Sequence, residues 1–328
     1  MIIDFEELPD FFREYLSYLS LVKDKSQNTI DGYYYDLTIF FRWCKKRMGY
    51  VSKNMRLTEL SIYDFSIELL KKLTLNDLKD FIKFSQITLK NGEPARARKV
   101  ASLKSFFKYL NVYKNDQFPN QLALGLESPK LKKSLPKYLS KTQSQELLSA
   151  IDYYKEFAIR DFAILCLFLG CGLKLSELCN INISNINYNE NSISILSKGS
   201  KKHIVYMNTE CSMAVKDYIH SLRPKYNAYD SDALFLSKFN KRISPDAVQL
   251  AIRNSIRDAG LDTYKYSPHK LRHTYATLLY QTGEVSVFTL KELLGYEDIR
   301  STQLYLYLDD KEKKIAANKV PIDFRKDS

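Results

Sequence analysis

The spacing of apolar and polar positions divides the chain into two stretches of mainly helical periodicity, separated by a basic segment that carries two prolines. In residues 5–46, Phe11, Phe12, Tyr15, Leu16 and Leu19 recur at helical spacing. After a polar break at residues 25–28, a second helical run carries Ile30, Tyr33, Tyr34, Leu37, Phe40 and Phe41. Residues 45–67 read as irregular and polar. Thr74 suits the N-cap of a short helix over 75–85. Residues 94–110 read as a strong helix, with Pro94 near its first turn and Val100, Leu103, Phe106, Phe107 and Leu110 on its core face. In the second stretch, helices are expected at 143–154 and 157–169, with a short helical piece at 175–180. Ser192, Ile193, Ser194 and Ile195 alternate as in a strand. Lys198, Gly199 and Ser200 make a turn, and residues 203–207 return as a second strand. Further helices are expected at 211–221, 244–259, 267–280 and 287–294. The pattern predicts a mainly α protein of two domains, at residues 1–127 and 141–328, joined by a linker at 128–140.

Composition adds a partner to this outline. Lys plus Arg number 50 and Asp plus Glu 38, a net charge of +12, which favours a polyanion such as nucleic acid. The charge is concentrated in places. The helix over 94–110 carries Arg96, Arg98, Lys99, Lys104 and Lys108 with no acid, so this face is expected to touch DNA. Residues 128–141 hold two prolines, five lysines and no acid, including Lys130, Lys132, Lys133 and Lys137. That segment reads as an extended strap along a phosphate backbone. Other classes are excluded. The longest apolar run, residues 162–173, has 12 residues against the about 20 of a membrane span, so no membrane partner is expected. The first residues, with Asp4, Glu6, Glu7 and Asp10, lack the basic start and apolar stretch of a secretory signal. The five cysteines form no C-x-x-C pair. They read as reduced core thiols of a cytoplasmic protein, without a metal site.

Two segments carry the candidate chemistry. In the first, Ser267 and Pro268 suit an N-cap and first helical position, so His269, Arg272 and His273 share one helix face. That face offers a planar bidentate cation and imidazoles to one anion, such as a phosphodiester. In the second, Leu293-Leu294-Gly295-Tyr296 is followed by Thr302 and Tyr305, with Gly295 as a helix C-cap. The order H-x-x-R, L-L-G-Y, T-x-x-Y is far more specific than any part of it. Together with the Lys198 hairpin and the G-L-x-L-S-E-L turn at 172–178, it resembles the tyrosine recombinase (phage integrase) family, over nearly the whole chain. The helices at 29–43 and 96–110, and the entry at 135–140, look like Xer-like members, with no additional arm-binding domain ahead of them.

The resemblance implies a two-domain DNA clamp. A helical core-binding, SAM-like domain would be followed by an α-rich catalytic domain with a small antiparallel β-sheet, the DNA breaking-rejoining fold. It implies Tyr305 as nucleophile, forming a 3′-phosphotyrosyl bond and freeing a 5′-hydroxyl. Arg272 would hold the non-bridging oxygens, and His269 would add a hydrogen bond or manage the nucleophile's proton. Lys198 would protonate the leaving oxygen, with Lys201 and Lys202 as neighbouring DNA contacts, and Glu177 would orient its neighbours. Covalent attachment conserves the bond energy, so no cofactor is implied. Two positions depart from the family pattern: Lys174 stands where the family has Arg, and Tyr296 where most members have His or Trp. Lys is a point charge rather than a two-pronged donor, so reduced activity is expected. The implied partners are double-stranded DNA with a specific site and a homotetramer on two such sites. The tail from Asp309 to Asp323 would be exchanged between protomers, and strands would exchange through a Holliday junction. Chromosome-dimer resolution, mobile-element integration or excision, and the need for an accessory recombinase or activator stay open. The alternatives are a catalytically impaired DNA-binding homologue and a type IB topoisomerase-like relaxing enzyme.

Overall fold

The computed structural model describes residues 5–52, 54–113, 123–129, 137–196, 202–226 and 228–295. The chain divides into two compact units, Met1–Lys133 and Ser134–Ser328.

The first unit holds α1 (Asp10–Leu21), α2 (Gln27–Arg47), α3 (Glu68–Lys71), α4 (Leu75–Ile87) and α5 (Glu93–Tyr113). The expected apolar face of α1 is the buried one: Phe11, Phe12, Tyr15, Leu16 and Leu19 all lie in the core. Edge-to-face rings lock it to α2, with Phe12 and Phe41 centroids 5.1 Å apart and ring planes at 85°. Thr74 caps α4 reciprocally, its hydroxyl accepting from Asp77 N while the Asp77 carboxylate accepts from Thr74 N at 2.9 Å. The polar stretch after α2 is irregular as expected, yet it buries Leu60, Ile62 and Phe65. Side chains of α2 fasten it: Arg42 Nε donates to Leu60 O at 2.7 Å, and Lys45 Nζ to Ser61 O at 3.1 Å.

One expected DNA contact is corrected here. Lys99 is only 3% exposed, and its Nζ donates to Asp36 Oδ1 of α2 at 2.5 Å. It is an internal ion pair and is not available to a phosphate. The reason lies on the opposing helix, because Asp36 is itself 1% exposed and needs a cation. Arg98 Nη1 adds an ion-pair contact at 3.1 Å to Asp36 Oδ2 and donates to Gly32 O at 2.6 Å, but its side chain stays 45% exposed. Arg96 donates to Gln86 at 2.9 Å, and Lys104 is half-buried.

The second unit holds α6 (Lys141–Ser149), α7 (Ala158–Cys171), α8 (Leu175–Cys179) and the strands β1 (Ile186–Asn187), β2 (Ser192–Leu196) and β3 (Lys202–Tyr206). It continues with α9 (Thr209–Asp217), α10 (Pro245–Asp258), α11 (Pro268–Tyr280) and α12 (Val287–Leu294). The sheet is antiparallel in the order β1-β2-β3, with Ile193 opposite Val205 and Ile195 opposite His203. β1 has only two residues, too short for alternation to announce it. α6 stops at Ser149, short of the expected 154, because Asp152 turns the chain and accepts from Tyr154 N at 3.1 Å. α7 is the apolar helix at the centre, with Ala163 to Phe168 buried. Among the described residues, no helix is long and apolar enough to cross a membrane, and the five cysteines are free and buried. The fold is mainly α with one small three-stranded antiparallel sheet.

Candidate active site

The site begins at the end of α7. Gly172 caps that helix in the left-handed region at φ +63°, and a Cβ there would stand 2.3 Å from Tyr275 Cδ1. Both the backbone sign and the close ring demand glycine. The turn delivers Lys174 as the N-cap of α8, three residues before Glu177. Glu177 is buried; its Oε2 accepts from Lys174 N at 2.8 Å, and its Oε1 lies 3.1 Å from Lys174 Nζ.

α11 supplies the second cation. Pro268 opens the helix, and Ser267 precedes it in extended conformation without a side-chain cap bond. Arg272 is 4% exposed. Its Nη1 donates to Gly172 O at 2.7 Å and its Nη2 to Leu294 O at 2.5 Å, while Nη1 stands 3.7 Å from Glu177 Oε2. Lys174 Nζ reaches Gly295 O at 3.4 Å. The left-handed cap of α12 at Gly295, φ +58°, therefore sits between two cations that share one buried carboxylate. Lys174, Arg272 and Glu177 sum to a single positive charge; Arg272 and Glu177 are buried, where attraction for an anion is strongest, while the Lys174 side chain is 39% exposed. Thr274 on the same helix anchors the entry to the unit, its Oγ1 accepting from Leu139 N at 3.0 Å.

Three imidazoles complete the cluster. His269 and His273 meet through their Nε2 atoms at 2.9 Å, with ring planes at 75°. Burial, and then the neighbouring Lys270 and Arg272, press the His269 pKa below its ordinary value. Burial, followed by His269, Lys270 and Arg272, presses His273 down to about 4. Both shifts favour the neutral rings. His203 of β3 lies against the α12 cap, with Cε1 and Nε2 3.6 Å from where a Cβ on Gly295 would be. Burial lowers its pKa too, opposed by Glu177 and reinforced by Lys174 and Arg272.

Two expected outcomes follow from this geometry. Gly172→Ala costs at least ~1–2 kcal/mol from the left-handed backbone alone, and displacing Tyr275 adds to it. A thermal melt checks the loss; an unchanged melting temperature would refute the tight fit described for Gly172. The His273 pKa lies below its unfolded value of 6.5, so the unfolded chain binds the extra proton first as pH falls. The stability this residue provides is complete above pH 6.5 and is lost between 6.5 and about 4. The full interval corresponds to ~3 kcal/mol. Denaturant midpoints taken at pH 7 and pH 4.5 should converge in the His273→Phe chain relative to the native one.

The structure brings together four residues singled out in the sequence, His269, Arg272, Lys174 and Glu177. Lys202 is exposed at the start of β3, and Lys137 is exposed before α6. Tyr296, Tyr305, Lys198, Lys201, Lys130, Lys132, Lys133 and the 309–323 tail lie outside the described residues. His203, which belongs to none of the sequence motifs, also joins the site. Strand alternation carried that signal, since Val205 is buried and His203 shares its face of β3.

Comparison with known proteins places the chain in a family. The model of the phage integrase family matches residues 137–312. The tyrosine recombinase XerC of Caldanaerobacter subterraneus subsp. tengcongensis is 44% identical, over 96% of this chain and 87% of that protein. The tyrosine recombinase XerD of Listeria innocua is 28% identical, over 91% of this chain and 94% of its own length. Among solved structures, the XerH site-specific recombinase in a post-cleavage complex with its palindromic difH substrate aligns with a TM-score of 0.67 at 18% identity, covering 96% of this chain and 95% of that one. A lambda integrase dimer bound to a COC′ core site aligns with a TM-score of 0.64 at 14% identity, covering 97% and 98%. At those identities the structural matches speak to the fold, while the family match and the XerC relative span the residues that build the site. The chain belongs to the phage integrase family of tyrosine recombinases.

Proposed function

We propose that this recombinase cuts and rejoins a specific site in duplex DNA through Tyr305. The phenol oxygen attacks a phosphodiester, the P–O5′ bond breaks, and the 3′ end is held as a phosphotyrosine. The observation that carries the reading is the pairing of Arg272 and Lys174 across Glu177, both reaching the carbonyls that end α12. Tyr305 follows that cap by ten residues, 305 against 295. In this reading the two cations offset charge that grows on the non-bridging oxygens. His269 contributes a hydrogen bond, Glu177 positions both cations, Lys198 protonates the departing 5′-oxygen, and Tyr296 packs beside the nucleophile. A free tyrosine ionises near pH 10, so a cationic surround is what makes attack effective at neutral pH.

Residues 1–127 act as a core-binding domain, with Arg96, Arg98 and Lys104 toward phosphate. Residues 128–140 strap the backbone, and Lys201 and Lys202 add contacts beside the hairpin. Four protomers on two sites, tied by their 309–323 tails, exchange strands through a Holliday junction.

The test is covalent trapping on nicked duplexes carrying candidate host sites, read as a slower protein–DNA band on a denaturing gel. Tyr305→Phe is expected to abolish the band and Tyr307→Phe to keep it. Lys174→Arg is expected to raise the rate of band formation, by about tenfold or more if a second two-pronged donor is what the site lacks. Tight site binding without a band from either the native or the Lys174→Arg chain would favour a DNA-binding homologue that has lost catalysis.

A further inference from the structure

The sequence groups His273 with His269 only as neighbours on a helix face, and the reaction as proposed uses His269 alone. The structure joins them atom to atom, Nε2 to Nε2 at 2.9 Å. An imidazole has two ring nitrogens, and a neutral ring carries one hydrogen. Between two neutral rings bonded in this way, one Nε2 must donate and the other accept. Either way, the Nε2 of His269 is consumed inside the protein, and only its Nδ1 can meet a reacting group.

We infer that His273 is a positioning residue that sets the tautomer of His269, so that His269 presents Nδ1–H to the scissile phosphate. A phosphate oxygen is an acceptor, so it selects the state in which His269 carries its hydrogen on Nδ1. His269 Nε2 then accepts, and His273 Nε2 donates. Each ring keeps one hydrogen, no proton leaves the pair, and both remain neutral. Lys270 and Arg272, on the same helix, oppose any additional proton on either ring. The pair is held for this work: His273 is 8% exposed on the helix that also carries the fixed Arg272. In water an isolated histidine favours the opposite tautomer, with its hydrogen on Nε2, so the preference must be imposed by a partner. Fixing a ring by a hydrogen bond to its far nitrogen is the same principle by which a carboxylate orients a catalytic histidine.

This inference rests on His269 belonging to the active site, so the experiment separates the two. Side-chain ¹⁵N spectra of histidine-labelled full-length protein, assigned by single substitution, report which nitrogen of His269 is protonated. The native chain on the nicked duplex is expected to show His269 protonated at Nδ1 and His273 at Nε2. His273→Phe is expected to return His269 to the Nε2–H form and to slow covalent trapping by ~10–100-fold at unchanged DNA affinity. His273→Gln, whose amide can still donate, is expected to recover the rate to within a few fold. Equal losses in His273→Phe and His273→Gln, or a native His269 protonated at Nε2, would overturn the assignment. If His273→Phe does not fold, the native spectrum and His273→Gln decide. If no chain forms the covalent band, the fault lies with the proposed reaction, and the spectrum alone decides on the tautomer.

Discussion

Arg272→Ala is expected to slow covalent trapping by roughly 10²–10³-fold, the usual consequence of removing one donor to a developing oxyanion. The side chain is doing two things at once. It carries charge at the centre of the site, and it bridges Gly172 O to Leu294 O. Alanine leaves both carbonyls without that donor, at ~1–3 kcal/mol for each that stays dry. It also leaves the buried Glu177 with Lys174 as its cation. A loss of rate could therefore come from chemistry or from a collapsed loop, and Arg272→Lys distinguishes them. Lysine keeps the charge but cannot span two carbonyls in a plane. If geometry matters as argued, Arg272→Lys stays within about tenfold of the alanine variant. A lysine variant that cleaves at the native rate would mean that charge alone suffices. Single-turnover trapping at saturating DNA gives the rates, and circular dichroism gives the folded fraction.

Asp36→Ala is expected to destabilise the first unit by about 3–5 kcal/mol, because it strands the Lys99 ammonium in the core. Lys99 and Asp36 side chains are 4% and 1% exposed, and among the described residues Arg98 adds a further cation, from a position 45% exposed. The double change Asp36→Leu with Lys99→Met is expected to restore most of the loss, since an apolar pair of similar volume avoids desolvation. The chain has one tryptophan, Trp43, which is buried in this unit beside Phe40 and Phe81. Its fluorescence during urea unfolding therefore reports on this core. Equal stability of native and Asp36→Ala chains would refute the ion pair as a structural element.

Helix positions were legible because amphipathic spacing is strong over ten or more residues, as in α1, α2, α10 and α11. The Gly295 cap was legible because few residues tolerate a left-handed turn. What escaped depended on partners far along the chain. Lys99 looked like one of five solvated cations until Asp36, 63 residues earlier, turned it inward. The burial of Leu60, Ile62 and Phe65 rests on Arg42 and Lys45 reaching out from α2, and no local pattern encodes such reach. The site was half visible: Arg272, His269, Lys174 and Glu177 came from motif order. His203 was passed over because a histidine on a five-residue strand reveals its direction only through its neighbours. The contact between the two histidine Nε2 atoms needed ring orientations that helix spacing does not contain.

The bridge made by Arg272 also has a mechanical side. It ties backbone at residue 172 to backbone at residue 294, and Lys174 repeats the tie at residue 295. Traction on the chain just beyond Gly295 is therefore borne first by the two cations, alongside the buried Leu290 and Leu294 of α12. Any pull strong enough to draw that chain aside must loosen the grip of both cations in the same movement. How firmly residues 294 and 295 are held and how firmly the charge is held are a single variable, so a force on one adjusts the other.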